Sequence, residues 1–274
     1  AEINKFYLKE NSNIHRGVHH LSQVATKKYE NSRLVTQNFI NARHSHEIIF
    51  TKGTTDSINL LASSFGQLLK KGDEIIISEM EHHSNMVPWQ MCCERSGAKL
   101  KIIPCNKIGE LDLDMFNQLI SNKTKIVSVT HISNSLGTIN PIRKIIEISH
   151  QKNVQVIIDG AQAAAHVKLD MQKLDADFYC FSAHKLYGPT GVGVLYGKEN
   201  LLNLLPPYQG GGEMIKDVSL LKTTYADLPH KFEAGTPNIA GVIAFKKSLD
   251  FITETGLGNI KTHEDKLLDY ATEK

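Results

Sequence analysis

The sequence of 274 residues contains few cysteines and no cysteine pattern typical of a metal site or a disulfide framework. The four cysteines are Cys92, Cys93, Cys105 and Cys180, and none of them forms a C-x-x-C spacing. The sequence therefore predicts no metal centre and no disulfide-stabilised scaffold. We expect four reduced thiols that serve as packing residues.

Long apolar runs and a strong charge of one sign are also lacking. No segment approaches the roughly 18 consecutive apolar residues that a membrane span needs, and residues 1–13 show no secretory signal pattern. Lys and Arg number 31 and Asp and Glu 29, so the formal net charge of +2 creates no broad field for an anionic partner. These absences predict a cytoplasmic protein that binds neither nucleic acid nor membranes.

The composition that remains, 41% hydrophobic and 22% charged, is typical of a globular protein with a sizeable core. Short β-rich runs alternate with helix-length segments along the chain, which predicts an α/β fold with a mostly parallel, seven-stranded sheet. The predicted strands are residues 47–51, 74–78, 99–104, 125–130, 154–158, 177–181 and 191–196. Several of them are nearly continuous apolar runs, so we expect helices on both faces of the sheet.

Polar side chains follow five of these strands, at the edge of an open α/β sheet where ligands bind. Apolar residues at helical spacing predict the intervening helices at 55–70, 85–96, 112–121 and 141–152. The polar groups are Gly53-Thr54-Thr55, Glu81-His82-His83, His131 with Asn134, Asp159 with Gln162, and Ser182 to Lys185. We expect one site built from them.

Lys185 and Asp159 are the strongest candidates for chemistry. A lysine held close to buried surroundings favours the neutral amine, which attacks an aldehyde to give a Schiff base. Asp159 follows the apolar run 154–158, so it needs a cationic partner, and the pyridinium nitrogen of pyridoxal 5'-phosphate (PLP) is one. The alternative is that Asp159 caps a helix beginning near Gly160. Gln162 could donate to the 3-hydroxyl oxygen of the same cofactor.

The other polar groups suggest an anion site and a ring partner. Thr54 and Thr55 begin a predicted helix, where backbone N–H groups and two hydroxyls favour a phosphate, or where a threonine is an ordinary cap. Ser182 and His184 could supply further phosphate donors. His82 could stack on a cofactor ring and transfer protons, or be structural.

With these residues in place, the chain resembles the class V (fold type I) PLP enzymes, and among them the Suf-type cysteine desulfurases, a group that includes selenocysteine lyases. The matching segments span nearly the whole chain and are His15-Arg16-Gly17-Val18-His19, Arg43 with 47–50, Gly53-Thr54-Thr55, Glu81-His82-His83-Ser84-Asn85, Pro88-Trp89-Gln90, 130–134, Asp159-Gly160-Ala161-Gln162, 182–191 and 232–238.

The resemblance implies a role for each candidate. Lys185 would carry the cofactor and act at the substrate α-carbon, Asp159 would pair with the ring nitrogen, and His82 would stack on the ring. The remaining implied cofactor contacts are Thr54, Thr55, Gln162, Ser182 and His184. The implied substrate contacts are Asn134, His15 and Arg16. Gly235 and Thr236 would reach the phosphate of a neighbouring subunit, which implies a homodimer.

The resemblance also implies the reaction. Sulfur would be removed from L-cysteine to leave L-alanine and an enzyme persulfide, which a sulfur-acceptor protein would receive for iron-sulfur cluster assembly. Three alternatives stay open: a selenocysteine lyase acting on L-selenocysteine, another class V PLP enzyme such as an aminotransferase of small amino acids, and an inert fragment serving as a dimerisation or docking module.

By the same resemblance, residues 1–255 are expected to form the PLP-binding large domain, without a short N-terminal segment. Residues 256–274 are expected to begin a helix that leads to a small C-terminal domain. The nucleophilic cysteine and an arginine for the substrate carboxylate are expected in that domain, beyond Lys274.

Overall fold

The computed structural model describes all 274 residues, and seven of its strands form one sheet. The strands of this sheet are β1 (Ile48–Thr51), β2 (Glu74–Ser78), β3 (Lys99–Ile103), β4 (Thr124–Thr130), β5 (Gln155–Asp159), β6 (Phe178–Ser182) and β7 (Gly193–Gly197). Each of the seven predicted strands is present, with both ends within about two residues of the predicted ones, an agreement normal for assignments of this kind. A separate hairpin consists of β8 (Ile215–Val218) and β9 (Thr223–Tyr225).

Ten helices connect and cover the strands. They are α1 (Glu2–Lys5), α2 (His20–Ile40), α3 (Thr54–Gly66), α4 (Val87–Ser96), α5 (Leu113–Leu119), α6 (Ile142–His150), α7 (Met171–Leu174), α8 (Glu199–Leu204), α9 (Ile239–Thr255) and α10 (Leu257–Glu273). Local sequence explains several ends. Asp112 caps α5 by accepting the N–H of Met115, and Gly97 ends α4 in the left-handed conformation.

The strand order across the sheet is β1-β7-β6-β5-β4-β2-β3. The five strands from β6 to β3 are parallel, whereas β7 runs antiparallel to both β6 and β1. The carboxyl ends of β1, β2, β4, β5 and β6 consequently meet at one edge of the sheet. This arrangement confirms the predicted mostly parallel, seven-stranded sheet.

Two hydrophobic cores lie on opposite faces of the sheet. Along β5, Val156 and Ile158 belong to the larger core, whereas Ile157 between them belongs to the smaller one. This alternation follows from the two-residue period of a strand. Helices α2, α5, α6, α7 and α9 contribute to the larger core, and α3, α4 and α8 to the smaller. The expectation of helices on both faces is confirmed.

All four cysteines are free, with Cys92 and Cys180 buried. Gly256 separates α9 from α10, and Ile260 is the one buried residue of α10. The predicted division at residues 255 and 256 falls at this junction, and it stays a prediction. None of the helices is both long enough and apolar enough to cross a membrane.

Candidate functional site

A cavity of about 230 Å³ lies at the edge of the sheet where the five strand ends meet. Its lining consists of Thr54, Thr55, His82, Ser84, Thr130, Ile132, Asn134, Asp159, Ala161, Gln162, Ser182, His184 and Lys185. Nine of these thirteen residues are ones that the sequence singled out, delivered by the ends of β1, β2, β4, β5 and β6. The topology of the sheet therefore assembles a single polar site from distant segments.

Asp159 is the buried charge of this cavity. It is the last residue of β5, is only 3% exposed, and accepts one hydrogen bond, from the N–H of Ala161 at 2.9 Å. Burial raises the pKa of Asp159 above its ordinary value, although the Ala161 bond and the neighbouring Lys185 and His82 side chains act in the opposite direction. A capping role for Asp159 thus explains the hydrogen bond of only one carboxylate oxygen. A cation in the cavity would stabilise the ionised carboxylate.

The backbone beside Asp159 is held by a close contact with Tyr179. A Cβ at Gly160 would lie 1.9 Å from Cε1 of Tyr179, so only glycine fits there. The Tyr179 hydroxyl lies 2.8 Å from Nδ1 of His131. Burial raises the pKa of Tyr179 and lowers that of His131 to about 4, so at neutral pH the phenol donates to a neutral imidazole. His131 therefore hydrogen-bonds Tyr179, which packs against the backbone next to Asp159. The His131 side chain lines a neighbouring cavity and not this one.

Lys185 enters the cavity from a short helical turn, residues 183–185, that follows β6. The N–H of Ala183 donates to the carbonyl of Val192, and the carbonyl of Ala183 accepts the N–H of Gly188. These two backbone hydrogen bonds fix the turn that carries Lys185. Lys185 is partly buried, and its charge lowers the pKa of Asp159. The amine and the carboxylate of the predicted site thus face the same small space.

The N-terminus of α3 forms a seat for an anion. The N-cap residue, Gly53, has no side chain to cap this helix, and the first N–H, that of Thr54, donates instead to Oγ of Ser182 at 2.8 Å. The acidic residue of the first turn, Asp56, turns back to accept the N–H of Lys52. A Cβ at Gly193 would lie 2.4 Å from Cα of Gly53, so glycine permits the close approach of β7 to this turn. The free N–H groups and hydroxyls there suit a phosphate.

His82 forms one wall of the cavity. Its Nδ1 accepts the N–H of Ser84 at 3.1 Å and lies 2.8 Å from the Ser84 hydroxyl. Because Nδ1 is an acceptor, the neutral ring carries its proton on Nε2. The ring orientation is therefore set by its own loop, as a stacking partner requires.

Behind His82 lies a buried carboxyl group that sequence reasoning gave no role. Glu81 is 6% exposed and accepts hydrogen bonds from the amide of Asn85 at 2.6 Å and from the N–H of Thr130 at 3.0 Å. The pKa of Glu81 is raised to about 8: burial is the largest cause, the hydrogen bonds with Ser78, Asn85 and Thr130 act to lower it, and the nearby Asp159 charge acts to raise it. The Glu-His-His-Ser-Asn segment was the signal that could have identified it.

Thr130 and Ser84 also line the cavity, and sequence reasoning gave them no role either. Both are small hydroxyl residues close to a strand end, and nothing in their local sequence distinguishes them from ordinary polar residues. Their place in the wall follows from the positions of β2 and β4, which are neighbours in the sheet but distant in sequence.

Four predicted site residues do not line this cavity: His15, Arg16, Gly235 and Thr236. Nε2 of His15 lies 3.0 Å from Glu30, and Nε of Arg16 lies 2.6 Å from Glu213. Thr236 is exposed, and the N–H of Gly235 donates to Gly212 at 2.9 Å. Their predicted roles toward substrate and a neighbouring subunit stay predictions.

The four thiols lie in surroundings that suppress their reactivity. Burial raises the pKa of Cys92, Cys105 and Cys180, and it raises that of Cys93 to about 11. All four are therefore protonated at neutral pH, and the thiolate is the nucleophilic form. None of them lines the cavity.

Comparisons with known proteins identify the family and the fold of this chain. The family model for aminotransferase class-V matches residues 1–274. A cysteine desulfurase of Enterobacter sp. (strain 638) is 50% identical over 269 residues, which cover 97% of this chain and 66% of that protein. The chain thus spans just under two thirds of the length of this curated relative.

Solved structures of cysteine desulfurases also resemble this chain. The apo structure of a cysteine desulfurase from Thermococcus onnurineus NA1 is 42% identical with a TM-score of 0.94. The cysteine desulfurase CsdA from Escherichia coli is 39% identical with a TM-score of 0.92. Each match covers 99% of this chain and 68% of the other chain. The predicted fold type I architecture is confirmed by these likenesses.

Proposed function

Since the chain belongs to the aminotransferase class-V family, we propose that it is the cofactor-binding part of a PLP-dependent cysteine desulfurase, which converts L-cysteine to L-alanine and passes the sulfur on as a persulfide. One observation carries this proposal. A buried carboxylate, Asp159, shares a small cavity with the amine of Lys185.

The residues of the cavity fit PLP. The Asp159 carboxylate accepts one hydrogen bond, and burial raises its pKa. A protonated ring nitrogen would therefore supply the second donor and the positive charge that the carboxylate lacks. The N-terminus of α3, whose N-cap residue is Gly53, and the hydroxyls of Thr54, Thr55 and Ser182 offer donors to the phosphate. These two anchoring groups come from β5 and β1, and Lys185 lies in the same cavity to bond the aldehyde carbon.

PLP, when bound, supplies an electron-accepting ring conjugated to the substrate α-carbon. Asp159 keeps the proton on the ring nitrogen and so sustains that acceptor. The Lys185 amine removes the proton from the α-carbon and returns it. His82 confines the ring and carries an Nε2 proton for transfer, and Asn134 holds the substrate carboxylate.

The sulfur-accepting thiol is, in this proposal, none of the four cysteines described above. Each is protonated at neutral pH and absent from the cavity lining, so none can attack a sulfur atom held there. Gly235 and Thr236 are proposed to complete the phosphate site of a second copy. Thr236 is exposed and Gly235 half-buried in this chain, which is compatible with that role.

Reduction with borohydride after incubation with PLP tests the central assignment. We expect the protein to develop a visible absorption band and to carry the reduced cofactor on Lys185, identified by peptide mass spectrometry. Lys185→Ala should prevent this trapping, whereas Lys107→Ala, a change at an exposed residue outside the cavity, should leave it intact. Cofactor fixed on another lysine would refute the proposal.

A further inference from the structure

We propose that Glu81 is a positioning residue, which fastens the loop carrying His82 to the end of β4 and so fixes the His82 ring against the cofactor. The inference rests on the proposed function, because the cofactor is what the ring would face. Glu81 itself does not line the cavity, and it acts through its neighbours.

The carboxyl group of Glu81 connects two elements of the cavity wall. Oε1 accepts the N–H of Thr130 at 3.0 Å and also contacts the hydroxyl of Ser78 at the end of β2. Thr130 lines the cavity and is the register partner of Asp159 in the neighbouring strand. One side chain therefore joins the end of β2 to the end of β4, directly beside the buried carboxylate.

The other carboxyl oxygen of Glu81, Oε2, accepts from Asn85, whose side-chain amide can adopt only one of its two flipped orientations. Asn85 donates through Nδ2 to Oε2 of Glu81 at 2.6 Å. Its Oδ1 accepts from Nε1 of Trp89 at 3.0 Å and from the hydroxyl of Ser128 at 2.6 Å. An indole N–H can only donate, so Oδ1 must face Trp89 and the amide N–H must face Glu81.

Position 81 must consequently present acceptors in two directions, toward Asn85 and toward Thr130. A carboxyl group meets both requirements, and its acid proton, when present, can be donated to the Ser78 hydroxyl that contacts Oε1. A glutamine does not, because its amide nitrogen would face an N–H donor in either orientation. This conflict leaves a buried N–H donor without an acceptor.

The same contacts hold both ends of the turn that carries His82. Glu81 precedes His82, and Asn85 ends the helical turn His83–Asn85. Ser84, between them, donates its N–H to the His82 ring. A loop released from Thr130 would therefore shift the histidine away from its place in the wall.

Substitutions that swap donors and acceptors test this role. We expect Glu81→Gln to weaken PLP binding about tenfold, measured by absorbance titration. In the double variant Glu81→Gln/Asn85→Asp, the glutamine amide donates to the new carboxylate, which still accepts from Trp89 and Ser128. Binding should return to within about twofold of the wild type. As a control, Glu79→Gln keeps the acceptor for the Cys105 N–H and should change nothing.

Two further measurements report geometry rather than affinity. Trp89 is the only tryptophan, so the single indole N–H signal in an NMR spectrum reports its bond to Asn85 without cofactor. Glu81→Gln should shift this signal, and the double variant should restore it. Visible circular dichroism of the bound cofactor should change and recover in the same pattern, because it depends on the ring environment that His82 provides.

The outcomes separate the two proposals. Wild-type affinity and unchanged visible circular dichroism in Glu81→Gln would refute the role of Glu81 alone. If that variant does not fold, a folded double variant with near-wild-type affinity supports the role, and a double variant no better than the single one refutes it. Wild-type protein that binds no PLP would refute the proposed function and this role together, while the indole signal would still test the network.

Discussion

Gly160 separates the buried carboxylate Asp159 from the rest of its loop, and it has no room for a side chain. A Cβ there would lie 1.9 Å from Cε1, 2.2 Å from Cζ and 2.5 Å from the hydroxyl of Tyr179. Unbonded carbon atoms pack at about 3.5–4.0 Å, so Gly160→Ala must separate the two residues by roughly 1.5 Å or more. Tyr179 is fully buried and bonded to His131, so its ring cannot swing aside into solvent.

The expected cost is that of an overpacked core. Forcing an extra methyl group into a packed interior costs about 1–3 kcal/mol. Displacing the Tyr179 hydroxyl from His131 adds about 1 kcal/mol for a lost buried hydrogen bond. We expect Gly160→Ala to reduce the free energy of unfolding by about 2–4 kcal/mol and to weaken PLP binding, because the Asp159 backbone moves with it.

Urea unfolding followed by far-ultraviolet circular dichroism measures this loss. Gly258→Ala is the matched control: it lies in α10 with no atom within 4 Å of the added Cβ, and it should stabilise by up to about 1 kcal/mol. In a Tyr179→Ala background, Gly160→Ala should cost almost nothing more. Equal costs in both backgrounds, or wild-type stability of Gly160→Ala, would refute the steric argument.

Three further outcomes are expected. Asp159→Asn should slow exchange of the cysteine α-proton, followed by NMR, about a hundredfold or more while PLP still binds, and near-normal exchange would contradict its role. Arg33→Met breaks a buried ion pair in which a guanidinium nitrogen of Arg33 lies 2.7 Å from Oε1 of Glu233, so it should lower the free energy of unfolding in urea by about 3–5 kcal/mol. Adding Glu233→Gln should recover part of that loss, and additive effects of the two changes would contradict this. The pKa of Glu81 is about 8 in the folded protein, against 4.5 for the ordinary group. Between pH 4.5 and about pH 8 the folded state therefore binds a proton that the unfolded state has lost. Stability should therefore fall as pH rises, by up to about 1.4 kcal/mol per pH unit, and this part of the slope should vanish in Glu81→Gln; identical slopes would exclude it.

The strands and most of the cavity lining followed from the sequence because both depend on short segments. A buried strand needs a continuous apolar run, and Val154 to Ile158 is such a run. The residue that follows it, Asp159, must lie at the carboxyl edge of the sheet in any parallel arrangement. Local pattern was thus sufficient to select Asp159, Lys185 and Thr54 as members of one site.

Helix α2 shows where local pattern was insufficient. Its buried face repeats at helical spacing, but it consists largely of small and polar residues: Ser22, Ala25, Tyr29, Ser32, Arg33, Thr36 and Ile40. Hydrophobic periodicity does not reveal such a face. The buried Arg33 pairs with Glu30 on its own helix and with Glu233, two hundred residues away, and no local pattern reveals the second partner.

The sequence by itself determined the fold class, the seven strands of the sheet and the residues that end them, because each depends on the order of apolar and polar residues within a few positions. Only the tertiary structure decided that Glu81 bonds Thr130, that Tyr179 packs on Gly160, and that His131 lies behind Asp159. These contacts join segments that are far apart in sequence. They exist because the crossover order of the sheet brings the ends of β2, β4, β5 and β6 side by side, an arrangement that no local pattern encodes.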